Sequence, residues 1–322
     1  MVKKPSPDIN HLRPKRFNEY LGQKKIIESL KLFVEAAKKR GQTNEHLLFY
    51  GPPGIGKTTL AYVVANELGG EMRVTSGAAI QKTGDLAAIL TNLNKNDVFF
   101  IDEIHRLPKP VEEILYPVLE ESVIDLVIGK GPTARNVRLP IAPITIIGST
   151  TKLALLSAPL RDRFGLVLRL DYYSNEEMFS LVKRSANLLN LKLTDSIIKE
   201  VVNRSRKTPR IANRILKRLR DLYEVENFRI LTIDQIKRFF KLLEIDSLGL
   251  TSIDLKYLKF LSEKFFQTPV GIETISSGLA EDQRTVEEFI EPYLIQIGFI
   301  KKTPRGRQLT QKALQHLKET LL

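Results

Sequence analysis

The segment Gly51-Pro-Pro-Gly-Ile-Gly56-Lys57-Thr58 fits the pattern G-x-x-x-x-G-K-[ST], and its residue types suit one task, the cradling of phosphates. Glycines let consecutive backbone N–H groups turn inward around phosphate oxygens, and a helix starting at the loop's end aims its positive dipole at the same anion. In that arrangement Lys57 reaches the β and γ phosphates and Thr58 ligates Mg2+. An ordinary glycine-rich turn rarely carries the whole pattern between a strand and a helix.

Val98-Phe-Phe-Ile-Asp102-Glu103 follows about 45 residues later. An apolar strand ending in a carboxylate puts Asp102 at the sheet's edge, where it can hold Mg2+ directly or through water. Glu103 is then placed to polarise an attacking water as general base. Taken alone, acids after a strand more often begin a helix; after a phosphate loop they read as a site of nucleotide hydrolysis. His105 reads as structural or surface. Ile146-Ile-Gly-Ser-Thr150-Thr151 ends a further strand in hydroxyls, with Thr150 suited to orient the water or the γ phosphate, although such residues also form loops. In Pro159-Leu-Arg161-Asp162-Arg163-Phe164 an arginine could stabilise transition-state charge at a neighbouring subunit's γ phosphate. The alternative is a surface Asp/Arg pair worth under about 1 kcal/mol.

These residues need a sheet to hold them. His46-Leu-Leu-Phe-Tyr50, Val98–Ile101 and Ile144–Gly148 read as buried strands, and Thr58–Leu68 as a helix stopped by Gly69-Gly70. Strands alternating with helices predict an α/β domain with a parallel sheet over residues 1–173. From Ser174-Asn-Glu-Glu, a helix start with acids in its first turn, strand signals cease, and 174–244 reads as a small helical domain. Residues 245–322 hold a helix over about 253–266, a turn at Thr268-Pro-Val-Gly271, two short helical stretches and a hairpin within 298–310, the layout of a winged helix.

Composition narrows the classes. The 322 residues are 43% apolar, include no cysteine or tryptophan, and carry 50 Lys+Arg against 37 Asp+Glu, a formal charge of +13. The chain is long enough for several cores and too apolar and periodic to be disordered or fibrous. Without cysteine there are no disulfides, thiolate zinc sites or thiol nucleophiles, which fits a reducing compartment. No apolar run reaches bilayer length and nothing in Met1-Val-Lys-Lys-Pro-Ser-Pro resembles a leader, so no membrane role and a cytoplasmic location are expected.

The positive charge is unevenly placed. Residues 1–173 carry 24 basic and 18 acidic side chains, 174–244 carry 16 and 9, and 245–322 carry 10 and 10. The surplus gathers in Arg204 to Arg220, with eight positive residues and no negative one, most simply a solvated helix face. The last piece is neutral, with acids at Glu281 to Glu291 and cations at Lys301, Lys302, Arg305 and Arg307.

Leu12-Arg13-Pro14 and Tyr20-Leu-Gly-Gln23, then GPPGIGKTTLA, FIDEIHRL, LYPVLEE, SAPLRDRFG, TPRIANR and EPYLIQIGFIKKTPRGR, occur in one order from about Leu12 to about Leu317. Together they resemble the RuvB family, bacterial Holliday-junction branch-migration motors of the AAA+ class. The resemblance implies a large ATPase domain (1–173), a small helical lid (174–244) and a winged-helix DNA-binding head (245–322). It implies ATP and Mg2+ as ligands, a homohexameric ring, four-way junctions and duplex arms as substrates, and roles in recombination, repair and the SOS response. RuvA would dock on the hairpin 125–139 (DLVIGKGPTARNVRL), and RuvC could join within a resolvasome.

By the same resemblance Leu12 and Arg13 line the adenine pocket, and Gly54, Gly56, Lys57, Thr58 and Thr59 bind phosphates and Mg2+. Glu120, Glu121 and Ser122 lie near the nucleotide, Ser122 standing where the family usually has an aromatic. Arg163 resembles the arginine finger, Tyr173 a base-side contact and Arg210 the second sensor arginine. DNA contacts are implied for Arg284, Lys302, Arg305 and Arg307, with Arg305 matching a wing arginine and Lys302 replacing an arginine and so losing bidentate geometry. The competing readings are a replication initiator of AAA+ winged-helix type and a clamp-loader-like switch. The arginine motif lacks Ser-Arg-Cys and the tail reads as a winged helix, against the loader; the 125–139 segment stands against the initiator.

Overall fold

The computed structural model describes residues 12–41, 45–128, 135–226, 231–266 and 268–321. They form two compact units, one of Met1–Leu189 with Thr208–Arg210, the other of Asn190–Lys207 with Ile211–Leu322. Among the described residues no helix is long and apolar enough to cross a membrane.

Among the described residues the first unit holds seven strands: β1 (Leu47–Tyr50), β2 (Met72–Ser76), β3 (Val98–Asp102), β4 (Val123–Ile128), β5 (Arg135–Pro140), β6 (Thr145–Thr150) and β7 (Leu166–Arg169). Five make a parallel sheet in the order β2-β3-β6-β1-β7, and β4 and β5 pair separately as an antiparallel hairpin. The unbroken apolar runs of β1 and β3 lie in the interior, as strands covered on both faces must. β2 and β7 occupy the edges: β2 carries no apolar run, and β7 opens on Leu166-Val-Leu168 but exposes every second side chain. His46, just before β1, accepts the Ile146 N–H at 2.9 Å; burial pushes its pKa down to about 4, so it serves the sheet as a neutral ring.

Register brings the chemistry together. Tyr50 lies opposite Thr150 and Ile101 opposite Gly148, so the phosphate loop, Asp102-Glu103 and Ser149-Thr150 leave three adjacent strands at their carboxyl ends. The helix Lys57–Leu68 follows the loop and buries Leu60, Ala61, Val63, Val64 and Ala65. The helix Asn175–Leu188 opens on a Ser174–Glu177 capping box, as the sequence predicts, yet it belongs to the first unit rather than the second. Its Arg184 explains why: it donates to the Leu12 carbonyl at 2.9 Å and pairs with Glu19 at 3.8 Å, tying the helix to the N-terminal strap.

In the second unit the helices Asp195–Arg204, Pro209–Val225 (from Ile211 onward) and Ile233–Leu242 precede a winged helix. The latter is built from helices Ser252–Phe265 and Ile272–Leu279, a helical run to Gln296 containing a π turn at Val286–Ile290, and the wing strands β8 (Ile300–Thr303) and β9 (Gly306–Leu309). The helix Gln311–Leu321 closes it over a core of Leu258, Leu261, Ile275, Leu294, Phe299 and Ala313. No compact-unit boundary falls at 244/245.

Candidate functional site

The phosphate loop is wrapped around its own lysine. The Lys57 ammonium donates to the Gly51 and Pro52 carbonyls at 2.8 Å each and is 7% exposed. Burial pushes its pKa down to about 8, Asp102 and Glu103 working against the shift and Arg210 with it. Gly54 has φ +79°, and a Cβ there would lie 3.1 Å from the Cβ of Arg210, whose N–H donates to the Gly54 carbonyl at 3.3 Å. Gly56, at φ +104°, lets the Tyr20 hydroxyl come within 2.7 Å of where a Cβ would stand. Tyr173 donates to that hydroxyl at 3.3 Å, and burial raises both phenol pKa values, Tyr20 to about 12. Lys57, Arg210 and Tyr173 are thus gathered on one loop, with half-buried Thr58 and Thr59 in the first turn of the helix behind it.

Asp102 ends β3 with one oxygen engaged: Oδ1 accepts the Ser149 hydroxyl and, at 3.0 Å, the Glu103 N–H. Its Oδ2 has no hydrogen-bond partner among the described residues. Glu103 adopts a left-handed backbone (φ 47°) and turns its carboxylate toward Arg106, 3.0 Å away. The Thr150 hydroxyl meets His105 Nδ1 at 2.8 Å and accepts the Lys152 N–H at 2.9 Å. Among the described residues no group of three or more His, Cys, Asp or Glu could hold a metal unaided. A hydroxyl at Thr58 and an open carboxylate oxygen at Asp102 fit Mg2+, which keeps waters and substrate phosphates as its other ligands.

The remaining expected nucleotide residues fall in two places. Leu12 is buried, and the Arg13 guanidinium lies over the Tyr62 ring, 4.8 Å from its centroid. Glu120, Glu121 and Ser122 end the helix Lys109–Glu121, Ser122 as a left-handed cap (φ 56°). There the structure brings Arg163 to Glu120, with Nε 3.1 Å from Oε1, its Nη1 donating to the Pro159 carbonyl at 2.8 Å and its plane over Tyr116. Glu121 pairs with Arg138 of β5 at 2.6 Å. No bond joins Arg163 to the loop 51–56 among the described residues. Of the 125–139 hairpin, residues 129–134 lie outside the described residues.

In the winged helix, Arg284 and Arg305 are exposed and carry no ion pair among the described residues. Arg307 differs from the expectation of a DNA contact. Its Nε donates to Glu291 at 2.7 Å and its Nη2 to Glu287, leaving the side chain 12% exposed. A guanidinium held by two carboxylates inside the domain has no fork left for a phosphate. Lys302 is half-exposed and pairs with the same Glu291 at 3.0 Å. The basic run is corrected likewise: Arg204 and Arg206 are largely buried and paired with Glu200 and Asp254, so only part of it is a solvated face.

Three contacts escaped sequence reasoning. Ser149 on Asp102 and His105 on Thr150 depend on register across the sheet; the neighbouring hydroxyl run 149–151 was the one available signal. Tyr20 against Gly56 has no local signal at all.

Comparison with known proteins gives three consecutive family matches: a Holliday junction DNA helicase RuvB P-loop domain over residues 12–170, a RuvB AAA lid domain over 173–246, and a RuvB C-terminal winged helix domain over 247–318. Among solved structures, the Thermotoga maritima RuvB Holliday junction branch migration motor is 44% identical, matched over 96% of this chain and 98% of that one, with a TM-score of 0.83. Two variants of the same Thermotoga maritima protein match at 44% and 45% identity over 95% of this chain and 98% of theirs, each with a TM-score of 0.85.

Proposed function

Because this chain belongs to the RuvB family, we propose that it is an ATP-hydrolysing motor that drives branch migration of four-way DNA junctions together with RuvA. The observation that carries this is the convergence of Lys57, Arg210 and the Asp102–Ser149 pair at the carboxyl ends of adjacent strands, in a chain that also carries a winged helix. Neither the replication-initiator nor the clamp-loader reading has a comparison in its favour.

In this reading Lys57 and the N–H groups of the loop 51–56 bind the β and γ phosphates, Tyr173 and Leu12-Arg13 bound the base side, and Thr58 and Asp102 hold Mg2+. The ion supplies charge neutralisation on the phosphate oxygens. Glu103 leaves Arg106 to take a proton from the attacking water, and Thr150, oriented by His105, positions that water. Arg163 serves a neighbouring protomer's γ phosphate; its companions Glu120 and Tyr116 hold it at the helix end rather than at its own loop. Hydrolysis therefore proceeds in an assembled ring, taken to be a hexamer in the cytoplasm, with Glu121 and Ser122 beside the finger. The segments 1–173, 174–244 and 245–322 serve as ATPase, lid and head. RuvA docks on the 125–139 hairpin, and RuvC could share the assembly. Exposed Arg305 and Arg284 grip phosphates of the duplex arms, with Lys302 weaker and Arg307 internal. Backbone grip without base readout suits a motor on arbitrary DNA.

The test is ATP turnover and junction dissociation on a four-way substrate, with and without RuvA, for the parent and Glu103→Gln. The reading expects RuvA-dependent migration in the parent and nucleotide binding without turnover in the variant. Absence of any stimulation by junction DNA plus RuvA overturns it.

A further inference from the structure

Arg206 occupies a backbone conformation that its residue type disfavours, and its side chain is held from three sides. It and Lys207 have φ of 50° and 54°, two successive non-glycine residues in the left-handed region. Such geometry persists where the surroundings over-determine it. Here they do. Arg206 Nε donates to the Gly249 carbonyl at 2.8 Å, Nη2 donates to the Asp254 carboxylate, and the guanidinium lies over the Tyr293 ring, 4.6 Å from its centroid. Only 14% of the side chain is exposed.

Each partner is itself fixed within the winged helix. Asp254 is buried and caps the helix Ser252–Phe265, accepting the Thr251 N–H at 2.7 Å and the Thr251 hydroxyl at 2.6 Å. Tyr293 donates to the Leu248 carbonyl at 2.6 Å. Asp246 accepts the Leu248 and Leu250 N–H groups at 2.9 and 2.8 Å and meets His316 Nε2 at 2.7 Å. The connection 246–250 is therefore clamped by the head on one side and by Arg206, at the end of the helix Asp195–Arg204, on the other. A planar fork with a carboxylate, a carbonyl and a ring as partners resists rotation in a way that a single point charge does not.

Along the chain, Arg206 stands four residues before Arg210, whose backbone is bonded to the phosphate loop. Four residues span at most about 14 Å. We propose that Arg206 is a positioning residue that locks the helical lid to the winged-helix head as one body, so that lid movement set by nucleotide state is delivered to the DNA grip without slack. This rests on the motor reading for its consequence, and on the contacts above for the lock itself.

The lock is tested with Arg206→Lys, which keeps a charge for Asp254 but loses the fork and the stacked plane, and with Arg206→Gln, which loses the charge. The chain has no cysteine of its own, so spin labels at Lys199→Cys, in the lid, and Glu263→Cys, in the head, report the distance between the two without background. The expected result is a narrow distance distribution in the parent that broadens in both variants. With RuvA and junction DNA, ATP turnover should stay within about twofold of the parent while base pairs migrated per ATP fall at least about tenfold. An unchanged distribution overturns the lock. A proportional fall in turnover and migration with the distribution still narrow assigns Arg206 a merely structural role and also overturns it. A parent that hydrolyses ATP but moves no junction sinks the motor reading instead, and the label distances then decide the lock on their own.

Discussion

At the phosphate loop, Lys57 is buried against backbone carbonyls with Arg210 packed on the same loop, and no carboxylate pairs with it among the described residues. At the wing the buried charge is Glu291, 0% exposed, and it is met by Arg307, Lys302 and the Tyr257 hydroxyl together. The first cluster leaves its positive charge without an ion pair among the described residues, Asp102 and Glu103 offsetting only part of the cost of burial, in a place where an incoming polyanion supplies the rest. The second is neutralised internally and so fixes the wing to its helix. Buried charge of similar chemistry is thus functional where its partner is missing and architectural where its partner is present.

Breaking the head cluster should have the largest effect. Glu291→Gln leaves Arg307 and Lys302 facing a neutral amide, and removing one member of a buried pair costs about 3–5 kcal/mol. Urea denaturation should show a lower midpoint for the variant, with the wing strands β8 and β9 losing amide-exchange protection first. An unchanged midpoint would mean that Glu291 is less essential to the wing than its three contacts imply.

The phosphate loop should respond in the opposite direction. With the Lys57 pKa lowered from 10.5 to about 8, the fold penalises the charged form, fully below pH 8 and no longer above about 10.5. Lys57→Met should therefore be more stable than the parent at pH 7, by up to about 3 kcal/mol. The advantage shrinks as pH rises through that window, because the unfolded parent there binds more protons than the folded one. Nucleotide affinity moves inversely: it is lost in the variant, and in the parent it declines as pH rises past about 8 and Lys57 gives up its proton. Paired melting curves and a fluorescent-nucleotide titration from pH 7 to 9.5 check both; a Lys57→Met variant less stable than the parent would remove the contrast.

The same contrast explains how much could be read from the chain before its fold was seen. β1, β3 and β6 were legible because strands covered on both faces are written as apolar runs. The edge β2 (Met72–Ser76) was not, since Arg73, Thr75 and Ser76 leave it without an apolar run, and β7 (Leu166–Arg169) was passed over although Leu166-Val-Leu168 is such a run, short and ended by Arg169. The residues of the phosphate loop are consecutive, so their chemistry is written locally. What Arg307 and Arg206 bind is not: their partners Glu291 and Asp254 lie 16 and 48 residues away, across a hairpin and between helices. A local reading counts such arginines as surface charge, which is how the basic run and the wing were both overestimated.

The wing offers a finer version of the comparison. Arg305 is exposed and unpaired among the described residues, while Arg307, two residues on, is internal. If phosphate grip belongs to the former, Arg305→Ala should lower the slope of log affinity against log salt for duplex DNA by about 0.9, the loss of one phosphate contact, with thermal stability unchanged. Arg307→Ala should lower stability instead. Equal slopes in the parent and Arg305→Ala would move the grip elsewhere on the head.

The smallest effect belongs to one of two neighbours that share a strained backbone. Arg206 and Lys207 both lie in the left-handed region, at φ 50° and 54°. A side chain there costs about 1–2 kcal/mol relative to glycine, whereas glycine gives back about 0.5–1 kcal/mol through the extra freedom of the unfolded chain. Lys207 is exposed and has no side-chain bond to lose among the described residues, so Lys207→Gly should stabilise the protein by at most about 1.5 kcal/mol. Arg206→Gly relieves the same strain and yet should destabilise, because it also removes the partner of buried Asp254. Opposite signs for two adjacent, equally strained positions would locate the worth of Arg206 in its fork; equal signs would locate it in the backbone alone.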